Sequence, residues 1–172
     1  MIEVGAGNGL NFAHYPPQVT RVLAVEPEPF LRALAAASVA GAPVPVDVVD
    51  GTAEKLPVND AGFDAAVVSL VLCSVGDPHA ALAEVHRVIR PGGELRFLEH
   101  VAADTPSLQR IQRLLDATVW PRLGGGCHAC RDSVTAIRDA GFSIERVDHF
   151  RFPETRLPFP TSPHVVGVAR RP

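Results

Sequence analysis

Three glycines at alternate positions, Gly5, Gly7 and Gly9, follow the short run Met1-Ile2-Glu3-Val4. Glycines in such a turn let backbone approach a ligand closely, because a Cβ would clash. An acid, Glu3, precedes the loop, and a second, Glu26, ends the next apolar run, Val22-Leu23-Ala24-Val25. Glu26 stands where a carboxylate can accept two ribose hydroxyls. The spacing is G-x-G-x-G, with Leu10 next, and so departs from the G-x-G-x-x-G of pyrophosphate-binding loops. An acidic lip is unwelcome to pyrophosphate but suits a ligand with an ammonium or sulfonium cation. A plain strand–helix turn is the competing reading of the glycines taken alone.

Further along, His100 closes the apolar run Leu95–Leu98, which puts it at the carboxyl end of a strand. Ligands bind at that edge in open α/β folds, so His100 is a candidate general base; capping of the strand end is the other reading. His128, in "GGGCHAC", is a second candidate, on a loop that could fold over a substrate. The pair Cys127 and Cys130 invites a metal or redox reading. No second C-x-x-C follows, only His149 and His164 lie downstream, and no thioredoxin-like context surrounds the pair. No metal is expected, and Cys73 reads as a small buried hydrophobe.

Apolar runs alternate with helical patterns along the chain, the signature of βαβ units and a mainly parallel sheet. "MIEV", "VTRVLAVEP" and "VPVDVVDG" read as strands one to three, with an Ala/Leu-rich helix before Gly41. "FDAAVVSLVLCSV" reads as a central strand buried on both faces. Asp77 and Pro78 start a helix that places Leu82, Val85, Val88 and Ile89 on one face. Pro91-Gly92-Gly93 then turns the chain into strand five, "ELRFLEHV". Leu108, Ile111, Leu114 and Leu115 form the apolar stripe of a further helix, and "GGGCHAC" reads as a flexible loop. "RDSVTAIRDAGF" is a last helix, and "SIERVDHF" and "HVVGVARR" are strands six and seven, joined by the Pro-rich connection "FPETRLPFPTSPH".

A chain of 172 residues can bury one substantial core, and no internal boundary breaks it, so residues 1–172 are expected to form a single domain. The net charge of −3 gives no electrostatic case for nucleic acid. No apolar run reaches the length of a membrane span, and no basic segment precedes an apolar stretch at the start. Three cysteines are too few and too odd for a disulfide framework, which points to a reducing, cytoplasmic compartment.

In order along the chain, "EVGAGNG", "AVEP", "GTAEKLP", "FDAAVVSLVLCSV" and "RVIRPGGELRFLEH" resemble the class I S-adenosylmethionine-dependent methyltransferases. "LVLCSV", "FLEHV" and "GGC" before "RDS" are similar to the thiol S-methyltransferase branch, which lies near the quinone-biosynthesis C-methyltransferases. The resemblance implies a Rossmann-like, seven-stranded, mainly parallel sheet with an antiparallel last strand and helices on both faces. It implies S-adenosyl-L-methionine as cofactor, as the charge of the loop's lip also favours over NAD. Gly5, Gly7 and Gly9 would lie under the methionine moiety and ribose, Glu3 would help hold the amino group, and Glu26 would bind the ribose. Gly51, Thr52, Ala53 and Glu54 would frame the adenine, and Leu70, Val71 and Leu72 would form the wall beside the sulfonium. Thr52 departs from the commoner Asp; its hydroxyl still accepts a hydrogen bond, more weakly than a carboxylate, and Asp50 or Glu54 can substitute. The acceptor would be a small molecule, a thiol first and a quinone-like or phenolic compound second.

Family members also carry helices ahead of strand one that cover the cofactor, so the glycine loop is expected to sit unusually near the start here. Three expectations compete: a start lying upstream, a homodimer that supplies the cover, or an S-adenosylmethionine-binding domain without turnover. The first is preferred.

Overall fold

The computed structural model describes residues 1–153 and 159–172; the middle of the Pro-rich connection, 154–158, lies outside the described residues. The strands are β1 (Ile2–Val4), β2 (Val22–Val25), β3 (Val46–Val49), β4 (Phe63–Ser69), β5 (Ile89–His100), β6 (Ser143–Arg151) and β7 (Pro163–Arg170). The helices are α1 (Pro29–Ser38), α2 (Pro78–Val88), α3 (Pro106–Asp116), the single turn α4 (Trp120–Leu123) and α5 (Ser133–Asp139).

The strands form one sheet in the order β3-β2-β1-β4-β5-β7-β6. Neighbours from β3 to β5 are parallel, and β7 runs antiparallel to both β5 and β6. The expected Rossmann-like sheet with an antiparallel last strand is therefore present. The sheet order reverses between β1 and β4, and ligands bind at the carboxyl ends of strands at such a switch point.

Local chemistry explains the element boundaries. The Asp77 carboxylate accepts the His79 and Ala80 N–H groups at the start of α2, with Pro78 in the first turn. Leu82, Val85 and Val88 of that helix are buried against the sheet, with Ile137 and Phe142 in the same core. A second core, on the other face, gathers Phe12, Tyr15, Val22, Ala24, Ala35 and Val46.

Three elements differ from the sequence reading. The run "FDAAVVSLVLCSV" stops being a strand at Ser69, because Leu70 takes a left-handed φ of 57° and reverses the chain. Within β4, buried Ala66 and Val68 alternate with half-buried Ala65 and Val67, so one face is only partly covered. β5 begins at Ile89, before Pro91-Gly92-Gly93, and absorbs them as an irregularity opposite Phe63–Ala65. On α3 only part of the stripe faces inward: Leu108 is buried and Leu115 half-buried beside the buried Gln112, while Ile111 and Leu114 are exposed.

On one face of β4, β5 and β7, Val67, Leu98, Val166 and Val168 stand together. A cavity of about 330 Å³ opens there, closed at one side by Asn11, His14 and Tyr15. No helix of the described residues is long and apolar enough to cross a membrane.

Candidate active site

The glycine loop leaves β1 at the switch point. Gly5, Gly7 and Gly9 all have positive φ, between 56° and 80°, which an L side chain rarely adopts. Gly5 is also fixed by space: a Cβ there would lie 2.6 Å from Val71 Cγ2. The Gly5 and Ala6 N–H groups both donate to the Val25 carbonyl, so the loop folds back on the end of β2. The loop leads into a five-residue 3-10 turn, Leu10–His14, rather than a full helix.

Both acids meet this loop. Glu26, at the end of β2 and 5% exposed, accepts the Gly7 N–H at 2.8 Å and the Glu28 N–H at 3.0 Å, one on each oxygen. Each oxygen keeps a free lone-pair direction, so the carboxylate is oriented and still able to accept from a diol. Glu3 is buried and accepts from Asn11 Nδ2 at 2.8 Å and Tyr15 Oη at 2.6 Å. Burial raises its pKa, and the hydrogen bonds from Tyr15 and Asn11 pull it partly back. Burial, with the same contact, pushes the Tyr15 phenol well up, so it stays a donor.

After β3, Thr52 is exposed and pairs through its backbone with Lys55, Ala53 is buried, and Glu54 faces the Asp77 N–H at 3.4 Å. After β4, Leu70 is partly exposed, while Val71 and Leu72 are buried. Sequence reasoning missed what holds this turn. Glu99, fully buried on β5, accepts the N–H groups of Val71 and Leu72 at 2.9 Å and of Cys73 at 3.2 Å. Burial raises its pKa to about 7 against these three bonds. Arg131 clamps the turn from the other side through the Leu72 and Val75 carbonyls, at 2.6 and 2.8 Å. The one signal for Glu99 was an acid directly after Phe97-Leu98 near the carboxyl end of a strand.

His100 follows Glu99, and its Nδ1 lies 3.3 Å from Cys127 Sγ. Its ring packs at a tilt of 50° against that of His164, centroids 4.3 Å apart, and the His164 Nδ1 lies 2.9 Å from the Ser162 carbonyl. Cys73 Sγ lies within 4.8 Å of Cys127 Sγ and 3.4 Å from Ser74 Oγ; the closeness of the two sulfurs, with His100 beside Cys127, pulls the Cys127 thiol down and pushes Cys73 up. Cys73 is thus more than a packed hydrophobe. Cys130 is apart: its N–H and that of Ala129 are held by the Asp116 carboxylate. His128 donates its backbone N–H to the Cys73 carbonyl at 2.7 Å, and its ring makes no hydrogen bond among the described residues. The "GGGCHAC" segment is therefore tied down rather than free, and all three cysteines are free thiols.

A family model described as "Methyltransferase domain" matches residues 2–97. Thiol S-methyltransferase TMT1A of Homo sapiens is 36% identical over 174 residues, covering 98% of this chain and 69% of the relative. The chain belongs to the class I S-adenosylmethionine-dependent methyltransferases.

Thiol S-methyltransferase TMT1B of Mus musculus is also 36% identical, with the same coverage. A ubiquinone/menaquinone biosynthesis C-methyltransferase of Methylobacterium nodulans is 38% identical over 88 residues, 51% of this chain and 35% of the relative. Among solved structures, an S-adenosylmethionine-dependent methyltransferase from Mesorhizobium loti superposes with a TM-score of 0.74 at 20% identity. It covers 99% of this chain and 89% of that one, and at that identity it speaks for the fold. The methyltransferase fold of this chain accepts its cofactor on two observations: open space at Gly7, where a Cβ would meet nothing within 4 Å, and a pre-oriented acid at Glu26.

Proposed function

We propose that this methyltransferase moves the methyl group of S-adenosylmethionine to a small thiol. One observation carries the thiol: similarity to the thiol S-methyltransferases runs through 98% of the chain, including the segment after β5, whereas similarity to the quinone C-methyltransferase stops at about half. That segment, with its Cys127 beside His100, belongs to the acceptor side in this reading. Three free thiols are in keeping with a reducing, cytoplasmic setting. Residues 1–172 act as one domain.

Gly5, Gly7 and Gly9 lie under the cofactor's methionine and ribose, Glu26 takes the ribose hydroxyls, and Glu3, held by Asn11 and Tyr15, supplies negative charge for the amino group. Thr52, Ala53 and Glu54 frame the adenine, and Leu70 and Val71 wall the sulfonium side. When bound, the cofactor supplies a methyl group already activated on a sulfonium. The chain's own task is then to align a sulfur nucleophile and exclude water. A thiol is a few per cent ionised at neutral pH, so modest help suffices. His100, on the carboxyl edge, faces the acceptor side and gives that help; His128 contributes the backbone tie to Cys73.

The test has two layers. Calorimetry with S-adenosylhomocysteine should show binding, weakened in Glu26→Ala by about 1.5–3 kcal/mol for lost charge-assisted bonds. A simple alkyl thiol should then be methylated, and His100→Ala should lower turnover while leaving S-adenosylhomocysteine affinity in place. No binding at millimolar ligand would remove the methyltransferase reading; binding with turnover only of phenolic or quinone-like acceptors would remove the thiol.

A further inference from the structure

We propose that Cys73, His100 and Cys127 form a three-ligand site for a zinc ion whose fourth position is open to a small thiol. Each residue comes from a different segment: the turn after β4, the end of β5, and the connection between α4 and α5. One ligand atom from each lies within 4.8 Å of the other two. A tetrahedral zinc with bonds of about 2.0–2.3 Å holds its ligand atoms roughly 3.5–3.8 Å apart. Small side-chain adjustments therefore close the set on an ion.

The donor set selects the metal. Two sulfurs and an imidazole are soft and borderline ligands, suited to zinc and poor for magnesium or calcium. Three protein ligands leave one position open, as in catalytic rather than structural zinc sites. Burial points the same way. Cys73 and Cys127 are 1% and 6% exposed; both thiols lose their protons when the metal binds, and the divalent cation then offsets the charge of two buried thiolates.

The surroundings pre-position the ligands through backbone bonds and ring packing. Glu99 holds the Cys73 N–H, and the His128 N–H holds the Cys73 carbonyl. His164 packs on the His100 ring. The Trp120 indole Nε1 is buried with no hydrogen-bond partner among the described residues, next to the Gly124 turn that delivers Cys127. An indole N–H is a donor only, suited to a thiolate sulfur. The grouping could not be read from spacing, because the obvious partner of Cys127, Cys130, is turned away on the Asp116 anchor.

At the open position an incoming thiol loses its S–H proton to solvent as its sulfur bonds the metal, so it waits as a thiolate. This role rests on the thiol-acceptor reading; the metal site does not.

Cobalt(II) reports on both parts. Added to reduced, metal-stripped protein, one equivalent should give the visible bands of tetrahedral cobalt and a near-ultraviolet thiolate-to-cobalt charge-transfer band, both bleached by zinc. Cys130→Ser should keep them. Cys73→Ser and Cys127→Ser should each weaken the charge-transfer band, and His100→Ala should weaken zinc binding by more than about 100-fold. A pale octahedral spectrum, or equal loss in Cys130→Ser, overturns the site. An alkyl thiol added to the cobalt protein should intensify the charge-transfer band; an unchanged spectrum overturns the open position. Calorimetry with S-adenosylhomocysteine on the same proteins shows that the variants are folded. Cofactor binding without a cobalt spectrum is failure of the zinc site alone, and a cobalt spectrum without cofactor binding is failure of the methyltransferase reading alone.

Discussion

At the scale of single residues, Gly5 and Glu99 hold the two walls of the same turn. Gly5→Ala brings a methyl group within 2.6 Å of Val71 Cγ2 at a φ of 70°. It should lower S-adenosylhomocysteine affinity at least tenfold and stability by about 1–3 kcal/mol, read by calorimetry and thermal melting. Glu99 predicts a pH dependence. Its pKa is raised to about 7 by burial from an ordinary 4.5. Between those values the folded chain keeps a proton that the unfolded chain has released, so stability falls as pH rises through the window and levels off above it. Glu99→Gln should flatten that slope in melts taken from pH 4.5 to 8. It should also cost about 1–3 kcal/mol, because one amide oxygen cannot serve three N–H donors. Equal slopes in both proteins would place the titration elsewhere. The glycines and Glu26 were legible because their chemistry is local: type and spacing suffice. Glu99 was not, because its partners, Val71 to Cys73, lie 26 to 28 positions away and are backbone groups with no sequence signature.

At the scale of elements, helices capped by their own residues, such as α2 with Asp77 and Pro78, were readable. β4 was misread at its end, because apolar content continues through Leu72 while the backbone reverses at Leu70. On α3, periodicity found Leu108 but placed the centre of the inward face wrongly, since a polar residue is the anchor. Gln112 accepts the Ala103 N–H and donates to the carbonyls of Val101, Ala129 and Pro160. It thereby joins the end of β5, the Cys127 segment and the last connection. Gln112→Leu should destabilise by roughly 2–4 kcal/mol through stranded backbone groups, and proteolysis should then cut first within residues 124–130. Leu114→Ser, on the exposed side of the same helix, should change the melting temperature little.

At the scale of the whole molecule, the parallel half of the sheet carries the cofactor loop, and the antiparallel edge brackets the acceptor segment. Between them the face over Leu98, Val166 and Val168 is open. Val166→Lys should alter stability by less than about 0.5 kcal/mol in dilute protein; a larger loss, with a drop in apparent mass on gel filtration, would mean that a second copy covers this face. The order of the strands carries a last consequence. β7 is made after β6 yet lies between β5 and β6, pairing with both. While the chain leaves the ribosome, β6 has no sheet to join and β5 shows a free edge. The cofactor half can therefore mature during synthesis, whereas the wall that carries His164, and with it the packing on His100, is completed only once β7 is free to insert.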